Sequence, residues 1–178
     1  MKIRAKCVAD ILEALASRLM TGEEWKKAVK SWGRDTAPIE ELTLDQYGEL
    51  CEAHDDFELY AIYKRAKGER IPRLGDPAKG FMEELGAIVR GMEKVAEAFD
   101  AIPRTAMTGD ERAAGFGSRN FGLFGLVDRL ARRQGITDEE AKRMTIAAAI
   151  GKLTIDAHQQ VCQRRYDEIC SRRQRTRR

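Results

Sequence analysis

Between residues 76 and 100 the chain places Phe81, Leu85, Ile88, Met92, Val95 and Phe99 at successive spacings of 4, 3, 4, 3 and 4. That pattern draws an apolar seam down one side of a helix for nearly three heptads. Asp76 can accept from the first free backbone N–H groups and Pro77 suits the first helical position, while Ile102-Pro103 closes the other end. At 1.5 Å per residue the helix spans roughly 35 Å, about one domain diameter. A seam of that length has to be buried, so the neighbouring segments are expected to pack along it.

Those segments read as helical too. No stretch alternates apolar and polar residues, charged residues make up 34 % and aromatics 7 %, and there are four prolines. This is the composition of helices with a broad solvated surface. The 178 residues suffice to bury roughly two thirds of the unfolded surface without staples. The expected fold class is all-α: a helical bundle with a long central heptad helix and a C-terminal helical unit. Residues 1–103 form the N-terminal bundle and 104–120 a flexible linker with three glycines and three arginines. Residues 121–178 form the C-terminal unit with its arginine-rich tail.

Within the bundle, Val8, Ile11, Leu12, Leu15 and Leu19 make one stripe of a first helix. Thr21 and Glu24 form a capping box for a second, which carries Trp25, Ala28, Val29 and Trp32 until Gly33 stops it. Both tryptophans are expected to pack between these two helices. A further capping box, Thr43 with Gln46, opens a helix with Tyr47, Leu50, Cys51 and His54 on one side. Apolar residues crowd together after Asp55-Asp56, which predicts a break there, and Gly68 ends the element. Beyond the linker, Leu123, Leu126, Val127 and Leu130 form a stripe that ends at Gly135-Ile136. Thr137 with Glu140 caps a short helix through Met144, and Thr145 caps the last one. Its apolar face passes through Ile150, Leu153 and Ala157 and drifts toward Val161, Cys162, Tyr166 and Ile169, with 171–178 expected to fray.

Charge is distributed unevenly. Residues 1–103 hold 16 Lys plus Arg against 20 Asp plus Glu, net −4, and residues 104–178 hold 16 against 9, net +7. Nine carboxylates and no Lys or Arg lie between Asp35 and Tyr63, whereas seven arginines and two carboxylates lie between Gln163 and Arg178. The tail has two readings: a solvated cationic helix end favoured by the helix dipole, or a docking element for carboxylates on this chain or a neighbour.

Signals for chemistry are few. Glycine-rich residues 115–125 lack the Lys-Ser or Lys-Thr of a phosphate loop, and Ser17, Ser31, Ser118 and Ser171 stand in no nucleophile-elbow sequence. No catalytic residues and no cofactor are expected. Cys7, Cys51, Cys162 and Cys170 show no Cys-x-x-Cys spacing and read as small apolar fillers in a reducing cytoplasm. Cys51 with His54, and His158 with Cys162, have helical spacings that would suit zinc if the two pairs met. The basic start is interrupted by Asp10 and Glu13, unlike an export signal, and no apolar stretch approaches the roughly 20 residues of a membrane span. Residues 126–153, with Arg129, Arg132, Arg133, Lys142, Arg143 and Lys152, trace a helix-turn-helix outline. With the basic tail they give an alternative reading, a DNA-binding regulator. The apolar run from Thr145 to Gly151 looks buried and offers no base-reading side chain.

From Leu126 to Tyr166 an aliphatic helix leads into Arg-Arg-Gln-Gly-Ile-Thr-Asp-Glu-Glu-Ala-Lys-Arg-Met-Thr and then a helix reaching Gln163-Arg164-Arg165-Tyr166. This order resembles the helical C-terminal part of tail assembly chaperones of tailed bacteriophages. The resemblance implies a non-enzymatic helper in the host cytoplasm that self-associates and holds tail components, chiefly the tape-measure protein, before assembly. Candidate partner surfaces are then the heptad helix and residues 121–124, with Phe121 and Phe124. Arg164, Arg165, Arg172 and Arg173 of the tail complete the candidate set.

Overall fold

A computed structural model describes residues 27–31, 33–71, 73, 77–103, 109, 113 and 122–176. It is all-α, with six α-helices and one short 3-10 turn among the described residues. The chain divides into two compact units, Met1–Ala96 and Glu97–Arg178. The first helix and capping box expected from the sequence, Trp25, Trp32, Asp76, Phe121 and nearly all of 104–120 lie outside the described residues.

In the first unit, residues 27–30 are helical and Val29 is buried. A loop then leads through a 3-10 turn, Ile39–Glu41, into α1 (Leu44–Glu52) and α2 (Asp56–Ala66). Thr43 and Gln46 close the expected capping box reciprocally, at 3.0 and 3.2 Å. The expected break is real: Asp55 accepts from the Glu58 N–H at 2.7 Å and starts α2 afresh. Ring contacts tie α2 to α3 (Ala78–Asp100), with Tyr60 and Phe57 at 4.8 and 6.2 Å from Phe81.

Along the α3 seam Phe81, Leu85, Ile88 and Val95 are buried, Met92 and Phe99 half-buried. The 35–42 loop lies against this helix. The Ala37 N–H donates to the Ala87 carbonyl at 2.9 Å, and Arg90 reaches the Asp35 and Lys30 carbonyls at 2.7 to 2.9 Å. Ile39 of the loop comes close to Gly91 of the helix, and Ile39, Leu42 and Leu44 are buried. The seam, a candidate partner surface in the sequence, is instead covered by the chain itself at Phe81, Leu85, Ile88 and Val95. An apolar stripe this wide gains more from the nearest tethered apolar segment than from waiting in water.

The second unit holds α4 (Gly122–Gln134), α5 (Asp138–Lys142) and α6 (Ile146–Thr176). Gly135 takes φ 65°, and the Ile136 N–H returns to the Ala131 carbonyl at 3.1 Å, so α4 ends in the expected Schellman turn. Thr137 and Glu140 close their capping box, and Thr145 accepts from the Ala148 N–H at 3.3 Å. The core of this unit is Val127, Leu130, Ala131, Ala141, Ile146, Ala149, Leu153 and Ala157. The tail departs from expectation, since α6 continues through Thr176 where the sequence predicts fraying from 171. Among the described residues no helix is long and apolar enough to cross a membrane.

Candidate interaction surface

Two sets of apolar residues project from opposite sides of α6. Ile146, Ala149, Leu153 and Ala157 point into the core of the second unit. At about 100° per residue, Ile155, Cys162, Tyr166 and Ile169 fall within roughly 60° of one another, centred about 180° from that buried face. They form a separate stripe rather than the drift of one face. Its large members face solvent, with Ile155 61 %, Tyr166 63 % and Ile169 49 % exposed. Isolated exposed leucines or isoleucines are ordinary, but several in helical register on one face mark a surface that a partner can cover.

Length explains why the buried face of α6 runs out, and orientation why the stripe on its opposite side is exposed even beside α4. At 1.5 Å per residue its 31 residues span about 46 Å, against about 20 Å for the 13 residues of α4. The fully buried α6 positions stop at Ala157. Where α4 and α6 meet, Asp156 is 14 % exposed and takes Arg129 at 3.1 Å and Arg133 at 3.5 Å, while Lys152 donates to Gln134 at 2.9 Å. Past this clamp, Arg133, Asp156, Gln159, Cys162, Gln163 and Tyr166 line an open groove of about 710 Å³. A hydrogen bond with Cys170 raises the Tyr166 hydroxyl pKa.

Of the residues expected to meet partners, Phe124 on α4 is 78 % exposed. Arg165, Arg172 and Arg173 are exposed on α6, and Arg164 is half-buried on the opposite side of that helix from the stripe. Phe121 lies outside the described residues. Ile155 escapes a sequence reading that traces one continuous apolar face down the helix. The seven-residue step from Ile155 to Cys162 to Ile169 is the signal that could have found it.

Three expectations about reactive groups change. Cys51 and Cys162 are exposed and Cys170 half-buried, so none of these is the buried filler expected. Burial of its surroundings still pushes the Cys51 thiol pKa up. Cys51 and His54 do not share a helix, because α1 ends at Glu52 and His54 stands in the turn, its N–H donating to Glu58 at 2.7 Å. Among the described residues no group of three or more His, Cys, Asp or Glu is placed to hold a metal ion. In the helix-turn-helix segment Ile146 and Ala149 are buried, but Ala147, Ala148 and Gly151 are exposed, so only half of that apolar run is core.

The first unit carries a polar constellation that the sequence did not announce. Lys64 is buried and bonds Glu69 at 2.7 Å and Glu84 at 2.6 Å, with its ammonium 5.5 Å from the Tyr60 ring centre. The Tyr60 hydroxyl donates to the same Glu84 carboxylate. Burial works against the Lys64 charge, yet the two carboxylates outweigh it and raise its pKa. Burial would lift Glu84, but hydrogen bonds from Lys64 and Tyr60 pull it below the usual range. Both carboxylates bond the one ammonium, the arrangement of an internal tie rather than of a poised acid or base.

Set against known families, curated proteins and solved structures, the chain matches no family model, no curated protein and no solved structure.

Proposed function

We propose that this chain is a non-enzymatic, cytoplasmic helical protein that works by binding other protein chains, most sharply as a tail assembly chaperone holding phage tail components. The observation that carries the reading is the exposed stripe Ile155, Cys162, Tyr166 and Ile169 on a helix whose other face is anchored in a core. A stripe held on a rigid helix costs little ordering entropy when a partner helix covers it. Tyrosine is also among the residues that most often dominate such contacts. Phe124 on α4, with Phe121 three residues before it in the sequence, is a second candidate contact, and the arginines of α6 add steering charge.

Two mixtures test the reading by light scattering and fluorescence anisotropy. A labelled amphipathic helical peptide of about 20 residues, leucine on its apolar face and glutamine elsewhere, is expected to bind the full chain and to lose binding in Tyr166→Glu. Duplex DNA is expected to leave the mass of the protein unchanged at about 50 mM salt. A DNA-dependent mass that collapses by about 200 mM salt, and disappears on truncation after Glu168, would overturn the reading in favour of the DNA-binding regulator.

A further inference from the structure

We infer that the groove beside the α4–α6 clamp is a binding site for a small organic oxyanion, a carboxylate or phosphate carried on a flat apolar body. The inference does not depend on the protein-binding reading above. Arg129 and Arg133, four residues apart on α4, share one carboxylate, that of Asp156 on α6. Its Oδ2 accepts from Arg129 at 3.1 Å and from the Gln160 amide at 2.9 Å, and its Oδ1 lies 3.5 Å from the Arg133 Nε. Among the described residues no second carboxylate pairs with either guanidinium. The clamp therefore holds two positive charges against one negative. Asp156 meets Arg133 at its Nε, which leaves the terminal nitrogens of that guanidinium for another acceptor, and Arg133 itself lines the groove. A planar guanidinium fork matches the paired oxygens of a carboxylate or phosphate.

The rest of the groove sets the body of the ligand. Its volume of about 710 Å³ falls in the range of small-molecule sites, roughly 300 to 1,000 Å³, and far exceeds what a bare ion fills. From Asp156 to Tyr166 the helix rises about 15 Å, so the Tyr166 ring stands well away from the charged head. The ring and the Cys162 sulfur offer an apolar wall there, and an aromatic ring stacks on a flat partner. Gln159 and Gln163, one turn apart between the two ends, present side-chain amides to polar edges of the body. Gln163 is steadied by its own bond to Asp167 at 2.9 Å.

Calorimetric titration of the full chain tests this with naphthyl phosphate and naphthoate as probes, with inorganic phosphate as the head alone and naphthol as the uncharged body. Saturable binding of either naphthyl anion at about millimolar Kd is expected, and the tighter of the two identifies the head group. Inorganic phosphate and naphthol are each expected to bind about tenfold more weakly or not at all. Arg133→Gln should weaken the anion about tenfold or more, and so should Gln159→Glu, which puts a carboxylate on an exposed groove position without touching the clamp. Arg165→Gln, on an exposed α6 residue outside the groove, should leave Kd within about twofold. Unchanged circular dichroism and thermal midpoint in all three check that the fold persists. Absence of saturable binding by both anions up to about 10 mM would overturn the inference, as would naphthol binding as tightly as the anions. Equal weakening by Arg133→Gln and Arg165→Gln would overturn it in favour of diffuse attraction to a basic surface.

Discussion

At Gly91 a single hydrogen atom decides how closely two segments approach. A Cβ there would sit 2.5 Å from the Ala37 carbonyl oxygen and 2.6 Å from Ile39 Cγ1. The backbone oxygen cannot swing aside, so Gly91→Ala is expected to destabilise by about 1–3 kcal/mol despite the better helix propensity of alanine. Gly80 and Gly151, also within helices, have nothing within 4 Å of such a Cβ. Alanine at either is expected to stabilise by about 1 kcal/mol, so urea titrations of the three variants should differ in sign. The Lys64 cluster makes a pH prediction of its own. Glu84 has a folded pKa below its ordinary 4.5, so its contribution is present above that value and is lost as the pH falls through the lower folded one. Lys64 has a raised pKa, and its contribution is lost only as the pH climbs above its ordinary 10.5. Urea midpoints are therefore expected to fall on acidification below pH 4.5. Glu84→Gln should start lower at neutral pH and fall less steeply.

At the scale of the element, caps are legible in the sequence and faces only partly so. Thr43 with Gln46 and Thr137 with Glu140 can be read directly because a capping box is closed by residues three apart, within one turn. Thr137→Ala is expected to cost about 1 kcal/mol, measurable as a lower thermal midpoint with little change in helix content. The two sides of α6 invite a paired test. Leu153 is 4 % exposed, and Leu153→Ala should cost about 2–5 kcal/mol. Ile155, two residues on, is 61 % exposed, so Ile155→Ala should change stability by less than about 0.5 kcal/mol. Equal losses at both positions would show that the stripe is covered within the chain and would remove it as a partner surface.

Over the whole molecule, the same substitution separates seam from stripe. Ile88→Asp puts an unpartnered carboxylate at a position 1 % exposed and is expected to cost several kcal/mol, enough to unfold its unit. Ile155→Asp should leave circular dichroism and thermal unfolding near wild type while abolishing peptide binding. Sequence by itself determined the features that local spacing dictates: an all-α chain, its long heptad helix, the break before α2, the glycine-terminated and threonine-capped turns of the second unit, and the imbalance of charge. Each depends on residues within about one or two helical turns, where covalent connectivity fixes the neighbours. Only tertiary structure decided which apolar faces were used. The α3 seam is covered by the chain itself at Phe81, Leu85, Ile88 and Val95, and Lys64 is drawn inside because Glu69 and Glu84 meet there. The second face of α6 stays exposed because the core of its unit lies on the opposite side of the helix. Spacing makes a face apolar, but burial depends on what arrives from far along the chain, and that is a property of the packed whole.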